Sequence, residues 1–196
     1  MGSQNSQIGL ATSPSLSGPW TDHGSLNIPL SSTYNLIDPY VFQETATDPV
    51  YFTFGSYWSG IHQFALSSFS QLTAFDGRVT DIRPLITNYT ANAAVVEGAT
   101  MWKHGDAYYM FFSVGACCNT PNEEPYLAPP GDEYRVAVCQ AETVTGPYFD
   151  REGKDCQRQG GGTTILASHG DVYAPGGQGI MTVNCERDVI YYHYGK

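Results

Sequence analysis

The chain of 196 residues carries nine Lys and Arg residues against 19 Asp and Glu residues, a formal net charge of −10. This acidic balance disfavours nucleic acid and anionic membranes as partners, and it favours a neutral substrate over a polyanionic one. No run of eighteen apolar residues is present, which excludes a membrane-spanning helix within this sequence.

Short segments rich in aromatic and β-branched residues follow one another along the whole chain. Clusters of Gly, Pro, Asn and Asp separate them, and the chain holds 21 Gly, 12 Pro and 14 Tyr. No long stretch shows the 3.6-residue period of an amphipathic helix. The pattern predicts an all-β fold, and we interpret residues 1–196 as a single domain.

Composition also bears on the cellular compartment. The first ten residues, MGSQNSQIGL, lack the basic and apolar regions of a secretory signal. The low lysine content, the aromatic-rich strands and a glycosylation sequon at residues 88–90 nevertheless favour an extracellular protein. Five cysteines fit no spacing typical of zinc ligands, and their odd number leaves at least one outside any intrachain disulfide. They are Cys117, Cys118, Cys139, Cys156 and Cys185.

One sequence pattern occurs three times. DPVYFTFGS (48–56), GDAYYMFFSVG (105–115) and RDVIYYHYGK (187–196) each place an acidic turn before an aromatic, alternating strand. Repeats of this kind indicate that one supersecondary unit has been copied along the chain.

A second pattern supports the repeat. QIGLATSPSLSGPWTD (7–22) aligns without a gap to RVAVCQAETVTGPYFD (135–150), with the Gly-Pro-aromatic step and the closing Asp in register. HQFALSSFSQLTAFDG (62–77) is a looser copy between them. The unit is therefore an entry strand, the aromatic strand, a third strand ending in Ser and Thr, and a fourth strand after a turn.

A repeated four-stranded unit of roughly sixty residues is typical of β-propeller blades. The alternative is a β-sandwich whose segments are similar by accident. Propellers close with about four to eight blades, whereas this chain holds only about three to three and a half. Both ends fall within a blade, so we expect unpaired strand edges that favour self-association.

Two carboxylates precede the aromatic strands. Asp38 lies in the entry strand YNLIDPYVF and Glu97 in VVEGATMW, while the third entry strand, YAPGGQGIM, has Gly177 and Gln178 at the matching place. The innermost strands of a propeller run along its central axis, so equivalent positions of neighbouring blades face one axial pocket. The spacing predicts that Asp38 and Glu97 face each other near one mouth of the channel.

Two carboxyl groups that converge on a cleft lined by aromatic residues are the chemistry of glycoside hydrolysis. One of them must be protonated at the working pH, and apolar neighbours such as Val95, Val96 and Ala99 are surroundings that favour a neutral acid. The alternative is that both residues are caps or turn residues, since Asp-Pro is common in turns.

Five motifs taken together resemble the arabinanase-type members of glycoside hydrolase family 43. The resemblance covers nearly the whole chain, and it implies a five-bladed propeller, an inverting mechanism and α-1,5-linked arabinan as the substrate. The motifs, in order, are YNLIDPYVF, YFTFGSYWSGI, VVEGATMW, YYMFFSVGACC and TGPYFDREG.

The resemblance also implies roles for individual residues. Glu97 matches the general acid of the family, and Asp38 matches the aspartate that modulates the pKa of the acid and orients it. Further positions match residues around the bound sugar: Asn35, Ser56, Tyr57, Trp58 and Ser113.

Two of the matched motifs leave alternatives open. Trp58 either offers an apolar face to a sugar ring or packs in the core beneath a loop. The neighbouring Cys117 and Cys118 form either a strained vicinal disulfide or thiols that are buried or paired elsewhere, and we favour the latter. The acidic, Pro-rich stretch 122–134 is interpreted as a solvated surface loop.

The sequence departs from the family pattern at two places. The general base of the family is an aspartate on the first strand of the first blade, and the match begins after that place, so no residue here is assigned to it. Many arabinanases carry a metal-associated histidine where this chain has Gly177 or Gln178, and His169 is interpreted as a loop histidine. No metal ligand is therefore assigned, although a calcium or other metal ion in the channel stays open.

The leading hypothesis is a secreted hydrolase that cleaves a neutral arabinose-containing polysaccharide. One alternative is an exo-acting arabinofuranosidase or β-xylosidase of the same family. Another is a catalytically inactive carbohydrate-binding fragment, which the unassigned general base favours.

Overall fold

In the computed structural model, the structure describes residues 6–73, 77, 79, 81–87, 95–117, 128–184 and 187–195. These ranges contain twelve strands and a single-turn helix, α1 (Ser70–Thr73), so the predicted all-β class is confirmed. No helix in them is long and apolar enough to cross a membrane. The strands are β1 (Gly9–Thr12), β2 (Thr21–Ser25), β3 (Tyr40–Phe42), β4 (Val50–Phe54), β5 (Ile61–Leu66), β6 (Arg83–Ile86), β7 (Val96–His104), β8 (Ala107–Val114), β9 (Arg135–Ala141), β10 (Thr163–Leu166), β11 (Tyr173–Val183) and β12 (Arg187–Gly195).

Each sheet is an antiparallel meander of strands that are consecutive in sequence. β3 to β6 form one four-stranded sheet and β7 to β10 form another, while β1–β2 and β11–β12 are two-stranded. This order is that of propeller blades and not of a Greek-key sandwich, whose connections skip strands. The described residues thus form two complete blades, blade I (β3 to β6) and blade II (β7 to β10), flanked by two partial ones.

The sequence repeats correspond to equivalent strands. The three aromatic segments form β4, β8 and β12, each the second strand of its sheet. In the gap-free match, Thr12 pairs with Thr21 across β1 and β2, and Gln140 pairs with Phe149 in the same way. The second copy then diverges, because the stretch 150–162 intervenes before β10 forms the blade's fourth strand.

The hydrophobic core lies between the sheets. One cluster joins Ile61 and Ile86 of blade I to Val96, Met101 and Phe112 of blade II. A second cluster packs blade I against the β1–β2 sheet, and includes Phe52, Phe54, Phe64, Ile8 and Leu26. Face-to-face packing of this kind holds the innermost strands β3 and β7 side by side.

In the two partial blades, β1 and β12 each have fewer paired neighbours than the equivalent strands of the complete blades. β1 pairs only with β2, and β12 pairs only with β11, within the part of the chain that the structure describes. Their equivalents in the complete blades have a neighbour on both sides. Unpaired edges favour association between chains, so self-association stays a prediction of this fold.

A disulfide ties the 150–162 stretch to blade II. It joins Cys139 in β9 to Cys156, both of them buried. The same stretch reaches blade I, because the backbone N–H of Thr87 donates to the carbonyl of Cys156 at 3.0 Å. The pairing of Cys118 and Cys185 and the sequon at 88–90 lie outside the described residues.

We expect the double variant C139A/C156A to unfold with about 3 kcal/mol less free energy than the wild type, because closing a loop of this length restricts the unfolded chain. The sequence separation of the two cysteines is 17 residues. Urea unfolding followed by fluorescence measures the difference. A reducing agent should lower the stability of the wild type to that of the variant and leave the variant unchanged; equal stability of oxidised wild type and variant would contradict the assignment.

Candidate active site

A cavity of about 410 Å³ opens where the innermost strands of three sheets begin. Its position follows from the blade packing, since β3, β7 and β11 start at the same end of the molecule around it. Its walls carry two carboxylates together with aromatic side chains and exposed backbone. The lining residues are Asp38, Glu97, Gly98, Ala116, Cys117, Tyr134, Tyr173, Ala174, Gly177, His193 and Gly195.

Glu97 sits on a bulge of β7. The register with β8 shifts between Glu97 and Thr100, and Gly98 adopts a left-handed φ of 62° within the bulge. The hydroxyl of Ser56 donates to Oε2 of Glu97, and the hydroxyl of Tyr134 donates to Oε1 at 2.8 Å. Both carboxyl oxygens are therefore held by hydroxyl groups, which orients the acid toward the cavity.

Asp38 meets Glu97 in this cavity, as the spacing predicts. Its Oδ2 accepts a hydrogen bond of 3.2 Å from the backbone N–H of Gly98. Burial, and then the negative charge of Glu97, raise the pKa of Asp38, and the bond from Gly98 partly offsets them. Asp38 has a φ of 53°, a conformation that Asp tolerates better than most residues.

The two carboxylates occupy different positions relative to their strands. Asp38 lies ahead of β3, whose first paired residue is Tyr40 opposite Thr53. Glu97 lies within β7 and pairs with Ser113. The bulge at Gly98 brings them together, which sequence spacing alone does not reveal.

Two of the residues matched to the sugar site, Ser113 and Asn35, are buried away from the loop between β4 and β5. Ser113 donates to Oε1 of Gln178 at 2.8 Å and accepts from the backbone N–H of Gly177 at 3.0 Å. It supports the cavity wall and does not line the cavity. Asn35 is also buried, and its Oδ1 accepts from Ser6 at 3.0 Å. Their expected contact with substrate stays a prediction.

The other three matched residues lie on the loop between β4 and β5. Ser56 is buried against Glu97, and the hydroxyl of Tyr57 lies 3.8 Å from Sγ of Cys117 at the cavity wall. Tyr57 and Trp58 have left-handed φ values of 56° and 39°. Consecutive non-glycine residues in this region are typical of functional loops held by their surroundings. The indole of Trp58 is 38% exposed, so it does not pack in the core.

A buried histidine supports this loop. The ring nitrogens of His62 lie 3.3 Å from the carbonyl of Gly60 and 3.4 Å from the hydroxyl of Ser59. Its ring packs against Tyr34 and Phe54. Burial lowers the pKa of His62, so the neutral imidazole is the form that holds the loop.

The residues at the place of the family's metal-associated histidine do not fit a metal ion. Both ends of the Gln178 amide are engaged within the protein, since Nε2 donates to the carbonyl of Gly98 at 2.6 Å and Oε1 accepts from Ser113. Across the described ranges, no group of three or more His, Cys, Asp or Glu side chains is arranged to hold a metal. His169 lies in an exposed turn, where its Nδ1 is 2.8 Å from the carbonyl oxygen of Ala167.

Sequence reasoning missed the three residues that line the cavity with a tyrosine or histidine ring. Tyr134 closes a stretch interpreted as a solvated loop, yet it is buried against Glu97. Tyr173 and His193 lie in strands where they were indistinguishable from other aromatic strand residues. The one available signal was the position of Tyr134 directly before the repeated strand β9.

We expect Asp38→Asn to stabilise the protein at neutral pH. A carboxyl whose pKa is raised by folding contributes stability below its ordinary value of 3.8, and this contribution is lost as the pH rises through the folded value. The variant removes that loss and tolerates the same φ. Its stability relative to the wild type should therefore increase between about pH 3 and pH 7, as measured by urea unfolding.

The matched control is Asp106→Asn, which removes one carboxyl group from the exposed β7–β8 turn, away from the cavity. A stability difference for Asp38→Asn that does not change with pH would contradict the raised pKa of Asp38.

Comparisons with known proteins identify the family of the chain. The profile of the family described as Glycosyl hydrolases family 43 matches residues 1–196. The chain is 42% identical over 196 residues to a probable arabinan endo-1,5-α-L-arabinosidase A of Aspergillus fumigatus. It is 41% identical to arabinan endo-1,5-α-L-arabinosidase A of Aspergillus niger. Each alignment covers 98% of this chain and 57% of the relative, so the chain spans little more than half their length.

Solved structures show the same fold. An exo-1,5-α-L-arabinanase from a bovine ruminal metagenomic library aligns with a TM-score of 0.79 and 26% identity, over 98% of this chain and 61% of its own. The native Bacillus subtilis arabinanase aligns with a TM-score of 0.73 and 29% identity, over 98% and 60%. These neighbours are five-bladed β-propellers, and this chain covers about 60% of their length. The chain therefore belongs to glycosyl hydrolase family 43.

Proposed function

We propose that the cavity is the active site of a glycosidase that cleaves α-1,5-linked L-arabinan with inversion, with Glu97 as the general acid. The observation that carries the proposal is the carboxyl of Glu97, held at both oxygens beside Asp38 at the wall of an open cavity. The relatives that are about 42% identical are named as arabinan-cleaving enzymes, which supports the same substrate here.

Glu97 donates its proton to the oxygen of the leaving sugar as the glycosidic bond breaks. The nearby Asp38 supports this role through geometry, because it accepts the hydrogen bond from Gly98 and so fixes the bulge that carries Glu97. The hydroxyl of Ser56 rotates, so it accepts the proton of the neutral acid or donates to the carboxylate after transfer. Tyr134 keeps the carboxyl oriented in both states.

An inverting enzyme also needs a carboxylate that activates water on the opposite face of the sugar, roughly 6.5–9.5 Å from the acid. The carboxylates that line the described cavity are Asp38 and Glu97, and Asp38 is bound to the bulge beside the acid. We assign the base to chain outside residues 1–196, which cover 57% of the relatives. The 196-residue chain by itself should then bind arabinan oligosaccharides with little turnover.

Three observations support a neutral arabinan substrate and an extracellular location. An acidic chain with a net charge of −10 suits a neutral polysaccharide better than an anionic one. A Cellvibrio cellulosa α-L-arabinanase that is 25% identical has been solved with arabinohexaose, which supports a linear oligosaccharide as ligand. The Cys139–Cys156 disulfide supports secretion, since such bonds persist in oxidising compartments.

Exo-acting cleavage is the second candidate, because the exo-1,5-α-L-arabinanase aligns with a TM-score of 0.79. The products formed from linear arabinan by the enzyme at the full length of its relatives distinguish the two modes. A ladder of oligosaccharides is expected for the endo mode that we propose. Release of a single short product from the first time point onward would assign the exo mode instead.

We expect Glu97→Gln, in the enzyme at the full length of its relatives, to lower kcat on linear arabinan by about 10²- to 10⁴-fold. The amide keeps the shape and the hydrogen bonds of the acid but has no proton to donate. Affinity for arabinohexaose, measured by calorimetry, should change less than about threefold, a free-energy difference below that of one hydrogen bond. Glu142→Gln, at an exposed position, is the matched control. An unchanged rate would remove Glu97 from this role.

A further inference from the structure

Strand β11 carries three glycines whose Cα atoms are each covered by a ring from another part of the chain. A Cβ atom at Gly176 would overlap the ring of Tyr134, and one at Gly177 would overlap the imidazole of His193. At Gly179 the ring of Tyr191 occupies the same place. Larger residues at these positions would displace the rings, so the run of glycines in β11 makes room for them.

Two of these rings line the cavity. Tyr134 packs on Gly176 and directs its hydroxyl to Glu97, which positions the acid. His193 lies next to it on β12, paired opposite Gly176, and its ring rests on Gly177. The Cε1 edge of the imidazole faces the backbone, while Nε2 lies farther away, 3.3 Å from the position of the Cβ that Gly177 lacks.

The imidazole of His193 has hydrogen-bonding capacity that the protein does not use. It makes no hydrogen bond or ion pair with any other residue that the structure describes, and it is exposed at the wall of the cavity that holds Asp38 and Glu97. A neutral imidazole offers one donor and one acceptor, which suits neighbouring hydroxyl groups of a sugar. A ring held on one side by backbone also loses little freedom when it binds a ligand.

We propose that His193 is a saccharide-binding residue of this cavity, and that Gly177 is glycine so that the imidazole can reach it. The inference rests on the proposed function, because it takes the ligand to be an arabinan oligosaccharide. Gly177 supplies no side chain at this wall, and the ring from β12 fills the space in its place. Its left-handed φ of 60° is a second reason for glycine there.

The test is calorimetric titration of the 196-residue chain with α-1,5-linked arabinohexaose. His193→Ala should weaken binding by about five- to tenfold, the loss expected for one hydrogen bond to a neutral ligand. His193→Gln, which keeps a donor and an acceptor, should recover part of the affinity. His169→Ala, in an exposed turn away from the cavity, is the matched control and should bind as the wild type does.

Gly177→Ala supplies an independent measurement. It should weaken binding as His193→Ala does, and the double variant should bind no worse than either single variant, because both changes remove the same contact. Circular dichroism establishes that each variant is folded, and His193→Ala alone decides the result if Gly177→Ala does not fold.

The outcomes separate this inference from the function on which it rests. Wild-type chain that binds arabinohexaose, with His193→Ala binding equally well, would overturn the role of His193 and leave the proposed function standing. Wild-type chain that does not bind would overturn the proposed ligand and this inference with it. Weakening confined to His193→Ala and Gly177→Ala supports the proposal.

Discussion

The backbone of Gly98 is the junction on which the site depends. Its N–H donates to Asp38, ahead of β3, and its carbonyl accepts from Gln178 in β11, so one residue connects three sheets. Its left-handed φ of 62° forms the bulge that turns Glu97 toward the cavity. Without the bulge, the alternation of β7 would continue unbroken, and the acid would not meet its neighbour at the mouth of the channel.

The junction brings two acidic groups together, at a cost in stability. Burial and the charge of Glu97 both disfavour ionised Asp38, and the hydrogen bond from the N–H of Gly98 compensates only in part. The protein tolerates this because the apolar clusters on both faces of blade I fix the strands independently of the site. Such a separation between a packed scaffold and a strained, charged centre is typical of enzyme active sites.

Close packing supports the surroundings of the cavity at two further places. The loop with Ser56, Tyr57 and Trp58 rests on a buried neutral histidine, His62, which keeps two left-handed residues in place. In β11, glycines allow rings from other segments to contact the backbone. The rings of Tyr134 and His193 therefore rest on glycines that are distant from them in sequence.

The sequence by itself determined the fold class, the order of strands within each sheet and the expectation that Asp38 and Glu97 meet, but not the bulge at Gly98 that brings them together. Period-two alternation and repeats are local properties, and they are readable because each blade is a meander of consecutive segments. Only the tertiary structure decided that Tyr134 and His193 line the cavity and that Cys139 pairs with Cys156. These contacts join segments from different strands and blades, and their geometry depends on how tightly the sheets pack, which no local pattern of residues encodes.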